Sequence, residues 1–135
     1  MPERDGCIKF IKISVVYFVI GVVLGYYMSV AHAYNLTGVH VHINLLGWTS
    51  MTLAGILYTL FPKTEASILG KVHFWLHNIG LPLMMLGLFF LLQGNNSLEL
   101  LIPVGATMVL IAVILFAINI LKNLKKEDVQ ALFNK

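Results

Sequence analysis

Residues 13–62 form a stretch without a single Asp, Glu, Lys or Arg, and this stretch limits how the 135-residue chain can fold. A helix needs about 20 mostly apolar residues to cross a bilayer, so this stretch is long enough to contribute two crossings. Two more apolar runs follow, and the chain as a whole is 59% hydrophobic and only 11% charged. Soluble domains carry about 25% charged residues. We therefore predict an all-α fold, an integral membrane four-helix bundle.

Turn-forming residues divide the chain into four predicted spans within a single membrane domain, residues 1–135. The spans cover residues 8–31, 39–61, 69–92 and 98–121. Pro62 ends the second span, and Pro82 is expected to kink the third or to leave a carbonyl without a partner. Residues 122–135 form a basic amphipathic tail suited to the membrane surface.

The first span raises the question of signal-peptide cleavage. Residues 31–33, Ala-His-Ala, imitate a cleavage site. A signal peptide has a hydrophobic region of about 7–15 residues, however, and this one is longer. We expect an uncleaved helix, with cleavage as the alternative.

The positive charges predict the orientation in the membrane. With four spans, every Lys and Arg falls on the side of the two termini, and the two opposite loops contain none: Arg4, Lys9, Lys12, Lys63, Lys71, Lys122, Lys125, Lys126 and Lys135. Cytoplasmic loops carry such an excess, so we predict a multi-pass protein of the cell membrane with both termini cytoplasmic. The net charge of +3 then reflects contact with the lipid bilayer and does not indicate nucleic-acid binding.

Five histidines fall into two groups along these spans. His32, His40 and His42 lie at the predicted outer ends of the first two helices, and His73 and His77 lie near the inner end of the third. Ionisable side chains in a membrane protein are usually functional, and imidazole is a common ligand of haem iron. At 1.5 Å per residue, His42 and His77 should differ in depth by about 15–20 Å. They are therefore not expected to share one iron within a protomer.

The spacing of each pair carries further information. His40 and His42 are two positions apart, so their side chains point about 200° apart around a helix and face different neighbours. His73 and His77 are four apart, as in a helical metal pair. For this inner pair, interfacial hydrogen bonding, a haem propionate contact and a proton relay stay open, and for His32 and His40 an ordinary interfacial role stays open.

Several other features have simpler interpretations. The small residues of Gly21-x3-Gly25-x3-Ser29 allow helices to approach closely. Trp48 and Trp75 are interpreted as packing surfaces. No carboxylate pair, Ser-His or Cys-His arrangement or glycine-rich phosphate loop is evident, so enzymatic chemistry has little support. Away from their ends, the spans contain no Asp, Glu or Lys that could relay a proton across the bilayer.

Two segments of the second span resemble a known family. Residues 42–48, His-Ile-Asn-Leu-Leu-Gly-Trp, and 55–62, Gly-Ile-Leu-Tyr-Thr-Leu-Phe-Pro, resemble the second helix of the haem-copper oxidase catalytic subunit, in its nitric oxide reductase and C-type branches. Residues 70–76 are similar to the third helix of that family. The resemblance covers about half of the chain and compares it with the first four helices of the subunit.

The resemblance implies a cofactor and its ligand. It implies that His42 is an axial ligand of a low-spin haem b near the outer membrane face, with Asn44 and Trp48 packing against the haem or hydrogen bonding near it. The family's copper ligands lie on later helices that have no counterpart here. Self-sufficient oxygen or nitric oxide reduction is therefore not expected.

The second iron ligand leads to a prediction about assembly. The family subunit has pseudo-threefold symmetry and a His-x-His whose two rings serve two haems. We predict a homo-oligomer, a trimer before a dimer, in which His42 of one protomer and His40 or His32 of its neighbour share a haem. The predicted function is electron transfer, from a quinol or cytochrome donor, or binding of a diatomic gas such as NO or O2.

Two alternatives belong to other classes of protein. One is a membrane protein that binds copper or another metal through His73 and His77 or through the outer histidines, because imidazole and methionine suit copper. The other is an assembly subunit without a cofactor.

Overall fold

The computed structural model of the protein describes residues 5–134, so Arg4 and Lys135 of the charge pattern lie outside the described residues. This part of the chain is helical and contains no strand. Its helices, in chain order, are α1 (Asp5–Ala31), α2 (Tyr34–Leu60), α3 (Pro62–Ala66), α4 (Ile68–Leu92), α5 (Leu101–Asn123) and α6 (Lys126–Phe133).

Four of these helices, α1, α2, α4 and α5, are long and apolar enough to cross a membrane. This confirms the prediction of an all-helical protein with four candidate spans. α4 continues through Pro82 to Leu92. α5 starts at Leu101 instead of residue 98, because Asn95 accepts a 3.0 Å hydrogen bond from the Ser97 N–H and begins a separate short turn.

The connection between α1 and α2 is shorter than the sequence predicts. The predicted spans 8–31 and 39–61 leave residues 32–38 as the connection, but α2 already begins with a 3-10 turn at Tyr34. His32 adopts a left-handed φ of 53° and ends α1, and the Ala33 N–H donates to the Met28 carbonyl at 3.0 Å. The last carbonyls of a helix have no partner within the helix, and this hydrogen bond, which closes a turn of six residues, gives one of them a partner. The chain therefore reverses within a few residues.

Polar contacts define the two ends of the bundle. At the terminal end, which carries Asp5, α3 and α6, the Asn119 amide donates to the Thr64 carbonyl at 2.7 Å. At the opposite, loop end, the Asn35 amide donates to the Leu92 carbonyl at 3.0 Å. These contacts tie α5 to the segment before α4 and tie the start of α2 to the end of α4.

Two buried clusters fill the interior, one in each half of the bundle. The cluster in the loop half consists of Met28, Leu36, Val39, Ile43, Leu81, Met84, Met85 and Val109. The cluster in the terminal half consists of Cys7, Phe10, Met51, Ala54 and Tyr58. α2 contributes to both clusters and so connects the two halves.

α2 is not a uniform helix. Its α-helical parts, Thr37–His42 and Ser50–Leu60, are separated by a π-helical segment, Ile43–Thr49. The Ser50 N–H donates to the carbonyl of Leu45, five residues earlier, as in a π-helix. The sequence predicts a continuous α-helix here, so the π-helical segment is a departure from that prediction.

Candidate functional site

His40 is held against α1. Its Nδ1 lies 3.0 Å from the carbonyl oxygen of Gly21, which can only accept, so Nδ1 carries the proton and donates it. A methyl group on Gly25 would lie 2.8 Å from Cε1 of His40. The absence of a side chain at Gly25 therefore lets the imidazole ring reach the backbone of α1.

Asn44 supports His40 from one turn further along α2. Its amide donates to the His40 carbonyl at 2.8 Å and lies 3.3 Å from Nδ1 of His40. A methyl group on Gly21 would lie 2.5 Å from the Asn44 side-chain oxygen. Gly21 and Gly25 thus allow α1 and α2 to approach closely, as their spacing indicates, and Asn44 is directed at His40 and α1.

His42 is half-buried and makes a different contact. Its Nδ1 donates to the Gly38 carbonyl, one turn earlier in the same helix, at 2.7 Å. This fixes the tautomer, so Nε2 carries a lone pair. Histidines that bind metals usually donate their other ring N–H to such an acceptor, which orients the ring.

The other predicted outer-site residues lie apart from His42. His32 is exposed at the end of α1, beside the ring of Tyr34 at a centroid distance of 6.1 Å. Trp48 packs on Phe18 of α1, with ring centroids 4.7 Å apart. His40 contacts α1, whereas the two-residue offset turns His42 to another side of the helix.

His73 and His77 lie inside the bundle, with exposed fractions of 3% and 1%. Nε2 of His77 donates to the carbonyl of Leu46 on α2 at 2.9 Å, and Nδ1 of His77 is buried without a hydrogen-bond partner. Nδ1 of His73 lies 2.9 Å from the Tyr58 hydroxyl. The two imidazole rings are 5.6 Å apart between centroids.

A polar network continues from Tyr58 to the terminal end. The Asn119 amide reaches the Tyr58 hydroxyl at 3.5 Å, and the Asn119 oxygen accepts from Ser67 at 2.9 Å and from Asn123 at 2.7 Å. Sequence reasoning missed Tyr58 and Asn119. The sequence feature that could have indicated this network is the pair Asn119 and Asn123, which lie one turn apart at the end of an apolar span.

His42 and His77 are too far apart to bind one iron within a protomer. Their rings are bonded to the carbonyls of Gly38 and Leu46, which are eight residues apart along α2. Eight residues correspond to about 12 Å at 1.5 Å per residue. This is less than the expected depth difference, because the His77 ring extends across to the middle of α2.

An apolar groove of about 620 Å³ lies between α1, α2 and α4, and no histidine lines it: Val19, Ile20, Val23, Leu24, Tyr27, Val39, Ile43, Met85 and Phe89. Across residues 5–134, no three His, Cys, Asp or Glu side chains are grouped so that they could hold a metal ion. No protein-family model, curated protein or solved structure matches the chain. The geometry of the histidines and the resemblance of α2 therefore carry the functional interpretation.

Proposed function

We propose that the protein binds haem b, with Nε2 of His42 as an axial ligand. The observation that carries the proposal is the 2.7 Å hydrogen bond from Nδ1 of His42 to the Gly38 carbonyl. This bond leaves Nε2 as the lone-pair nitrogen and restricts rotation of the ring, which is what an iron ligand requires. The resemblance of residues 42–48 to the second helix of haem-copper oxidases supports the same assignment.

The charge pattern supports a location for this haem. The lysines of the described residues lie in the terminal half of the bundle: Lys9, Lys12, Lys63, Lys71, Lys122, Lys125 and Lys126. With the positive-inside rule, the terminal end faces the cytoplasm and the loop end faces outward. His42, eight residues into α2 from Tyr34, is then near the outer face of the membrane.

The second axial ligand comes from another copy of the chain in this proposal. His40 is packed over Gly25. His77 bonds to the Leu46 carbonyl, which lies about 12 Å along α2 from the Gly38 carbonyl that His42 bonds. His32 is exposed at the loop end and contacts only its neighbour Tyr34 among aromatic rings. Of the candidates, His32 is the exposed one, and the proposal therefore assigns it as the ligand that an adjacent protomer supplies.

The bound haem would supply one-electron transfer when both axial positions are filled and would bind a diatomic gas when one is open. The chain itself holds the half-buried His42 ring through the Gly38 carbonyl. A quinol or a cytochrome is the proposed electron donor. Among residues 5–134, His42 does not belong to a group of three or more His, Cys, Asp or Glu side chains that could hold a second metal ion.

An absorption spectrum tests the proposal. Protein purified from membranes of a haem-replete host is expected to show a Soret band and, with dithionite, a split of the haem b bands. His42→Ala should remove the haem, and His42→Met should shift the spectrum, because methionine sulfur is an alternative axial ligand. Trp75→Phe, on the exposed side of α4, is the control and should leave the spectrum unchanged.

The outcomes of this experiment distinguish the haem protein from the cofactor-free subunit and the copper-binding protein. Full haem retention by folded His42→Ala would refute His42 as the ligand. A colourless protein without metal would support the cofactor-free assembly subunit. A colourless protein that contains copper would support the copper alternative, which is favoured only by the buried, unbonded Nδ1 of His77 beside His73.

A further inference from the structure

Residues along the whole length of α2 face α1. Besides His40 and Asn44, α1 is contacted by Gly47, Thr52 and Gly55. A methyl group on Gly47 would lie 2.5 Å from the Tyr17 ring. The Thr52 hydroxyl donates to Ser14 at 2.9 Å, and a methyl group on Gly55 would lie 2.8 Å from Ile11. Trp48 also packs on Phe18 of α1, so the middle of α2 contacts α1 as its two ends do.

The π-helical segment Ile43–Thr49 changes the rotational register of α2. A hydrogen bond to the carbonyl five residues earlier, instead of four, accommodates one extra residue in the turn. With this extra residue between them, the two α-helical parts of α2 both contact α1, the first through His40 and the second through Thr52 and Gly55.

This register determines where His40 and His42 point. One residue corresponds to about 100° around a helix. If the segment became α-helical while Thr52 and Gly55 stayed against α1, His40 would turn about 100° away from Gly21. His42 would turn by the same angle, because both histidines belong to the rigid helical part Thr37–His42.

Besides apolar packing, the described part of α4 contributes one side-chain hydrogen bond to the π-helical segment. Nε2 of His77 donates to the Leu46 carbonyl at 2.9 Å, and the other ring nitrogen is buried without a partner. The His77 ring is thus hydrogen bonded through Nε2, to Leu46, and not through Nδ1. Within α2, the Ser50 hydroxyl donates to the Leu45 carbonyl at 2.8 Å. An N–H donor from α4 and a hydroxyl from α2 therefore occupy adjacent carbonyls of the segment.

We propose that His77 is a positioning residue that stabilises the π-helical segment through Leu46 and thereby sets the direction of His42. The part of this inference that concerns haem rests on the proposed function. The role requires an N–H donor at the end of the side chain and does not require an imidazole lone pair. Glutamine supplies such a donor, whereas leucine fills space without one.

The test compares His77→Gln with His77→Leu and uses a measurement that needs no haem. Trp48 lies in the segment and packs on Phe18, and the chain has only one other tryptophan, Trp75. Protein labelled with 5-fluorotryptophan therefore gives two 19F NMR resonances, which Trp75→Phe assigns. Asn78→Ala is the control, because the Asn78 amide donates only to Phe74 in its own helix.

We expect His77→Leu to move or split the Trp48 resonance and to weaken haem binding by about 10-fold or more, as for other residues that orient a metal ligand. His77→Gln and Asn78→Ala should retain the wild-type resonance and haem content. An unchanged Trp48 resonance in His77→Leu would overturn the proposal. Failure of His77→Gln to restore the resonance would also overturn it, since the imidazole itself would then be required.

The two proposals can fail independently. If the protein contains no haem but the Trp48 resonance follows the expected pattern, the role of His77 in the segment stands and the haem proposal fails. If haem binds through His42 and the resonance is insensitive to His77, the haem proposal stands alone.

Discussion

The Tyr58 hydroxyl and Nδ1 of His73 form a 2.9 Å hydrogen bond at the place where all four long helices meet. The rings of Phe10 from α1 and Phe116 from α5 pack on His73, with centroid distances of 5.2 Å and 5.0 Å. A buried polar group without a partner costs stability, so this pair is stable only while both partners are present. It links α2 to α4 by polar contact within an aromatic cluster.

Tyr58→Phe should lower the free energy of unfolding by about 1–3 kcal/mol, because it leaves Nδ1 of His73 buried without its partner. Tyr26→Phe is the matched control, since Tyr26 is 72% exposed. Unfolding in detergent with increasing SDS, followed by circular dichroism, measures both variants. Equal stability of the two variants would contradict a structural role for the Tyr58 hydroxyl.

The close packing of α4 on α5 depends on Gly105. A methyl group there would overlap the carbonyl oxygen of Gly80 and the backbone nitrogen of Met84, and backbone atoms cannot rotate away as side chains do. Gly105→Ala should therefore destabilise the protein by about 1–3 kcal/mol despite the better helix propensity of alanine. At Gly38, where the nearest atom would be 3.7 Å away, alanine should be neutral or stabilising. Thermal unfolding in detergent compares the stabilities of Gly105→Ala and Gly38→Ala.

The attachment of α6 should depend on pH. The backbone N–H of Lys125 and then the Lys63 ammonium, 3.2 Å away, lower the pKa of Asp128 below its ordinary value of 3.8. A carboxyl whose pKa is lowered by folding contributes its stabilisation above the unfolded pKa and loses it as the pH falls through the folded pKa. The protection of the amides of residues 126–133 against hydrogen exchange should thus be constant near neutral pH. It should decrease at pH values below about 4.

Amide hydrogen exchange, corrected for the intrinsic pH dependence of the exchange rate, measures this effect. Asp128→Asn removes the titrating group and should have low protection at both pH values. Glu127→Gln is the control one residue away. A decrease in protection at acid pH that persists unchanged in Asp128→Asn would show that another group is responsible.

The proposed shared haem predicts an oligomer, a trimer before a dimer. The mass of the detergent-solubilised complex, from light scattering corrected for detergent, should be a multiple of 15.0 kDa. His32→Ala should convert the bis-histidine spectrum to that of haem with an open axial position while His42 still holds the iron. A monomer with a complete bis-histidine spectrum would exclude the shared site.

Much of the architecture follows from local sequence. The uncharged residues 13–62 leave few alternatives to membrane-crossing helices, because backbone polar groups in lipid must be satisfied within a helix. The close contact of α1 with α2 is also indicated locally, since Gly21 and Gly25 recur on one helix face. The ends of helices are less predictable: the start of α5 depends on the Asn95 side chain, and the end of α1 depends on the φ of His32.

The sequence by itself determined the class of the protein, its four apolar helices and the concentration of positive charge at one end, because helix length and side-chain polarity are local properties. Only the tertiary structure decided that His77 contacts Leu46, that Tyr58 joins His73 and Asn119, and that α2 contains an extra residue in its central turn. Asn119 is 61 positions from Tyr58 and His77 is 31 from Leu46. Such pairs form only when packing brings distant helices together, and the direction of His42 depends on that packing.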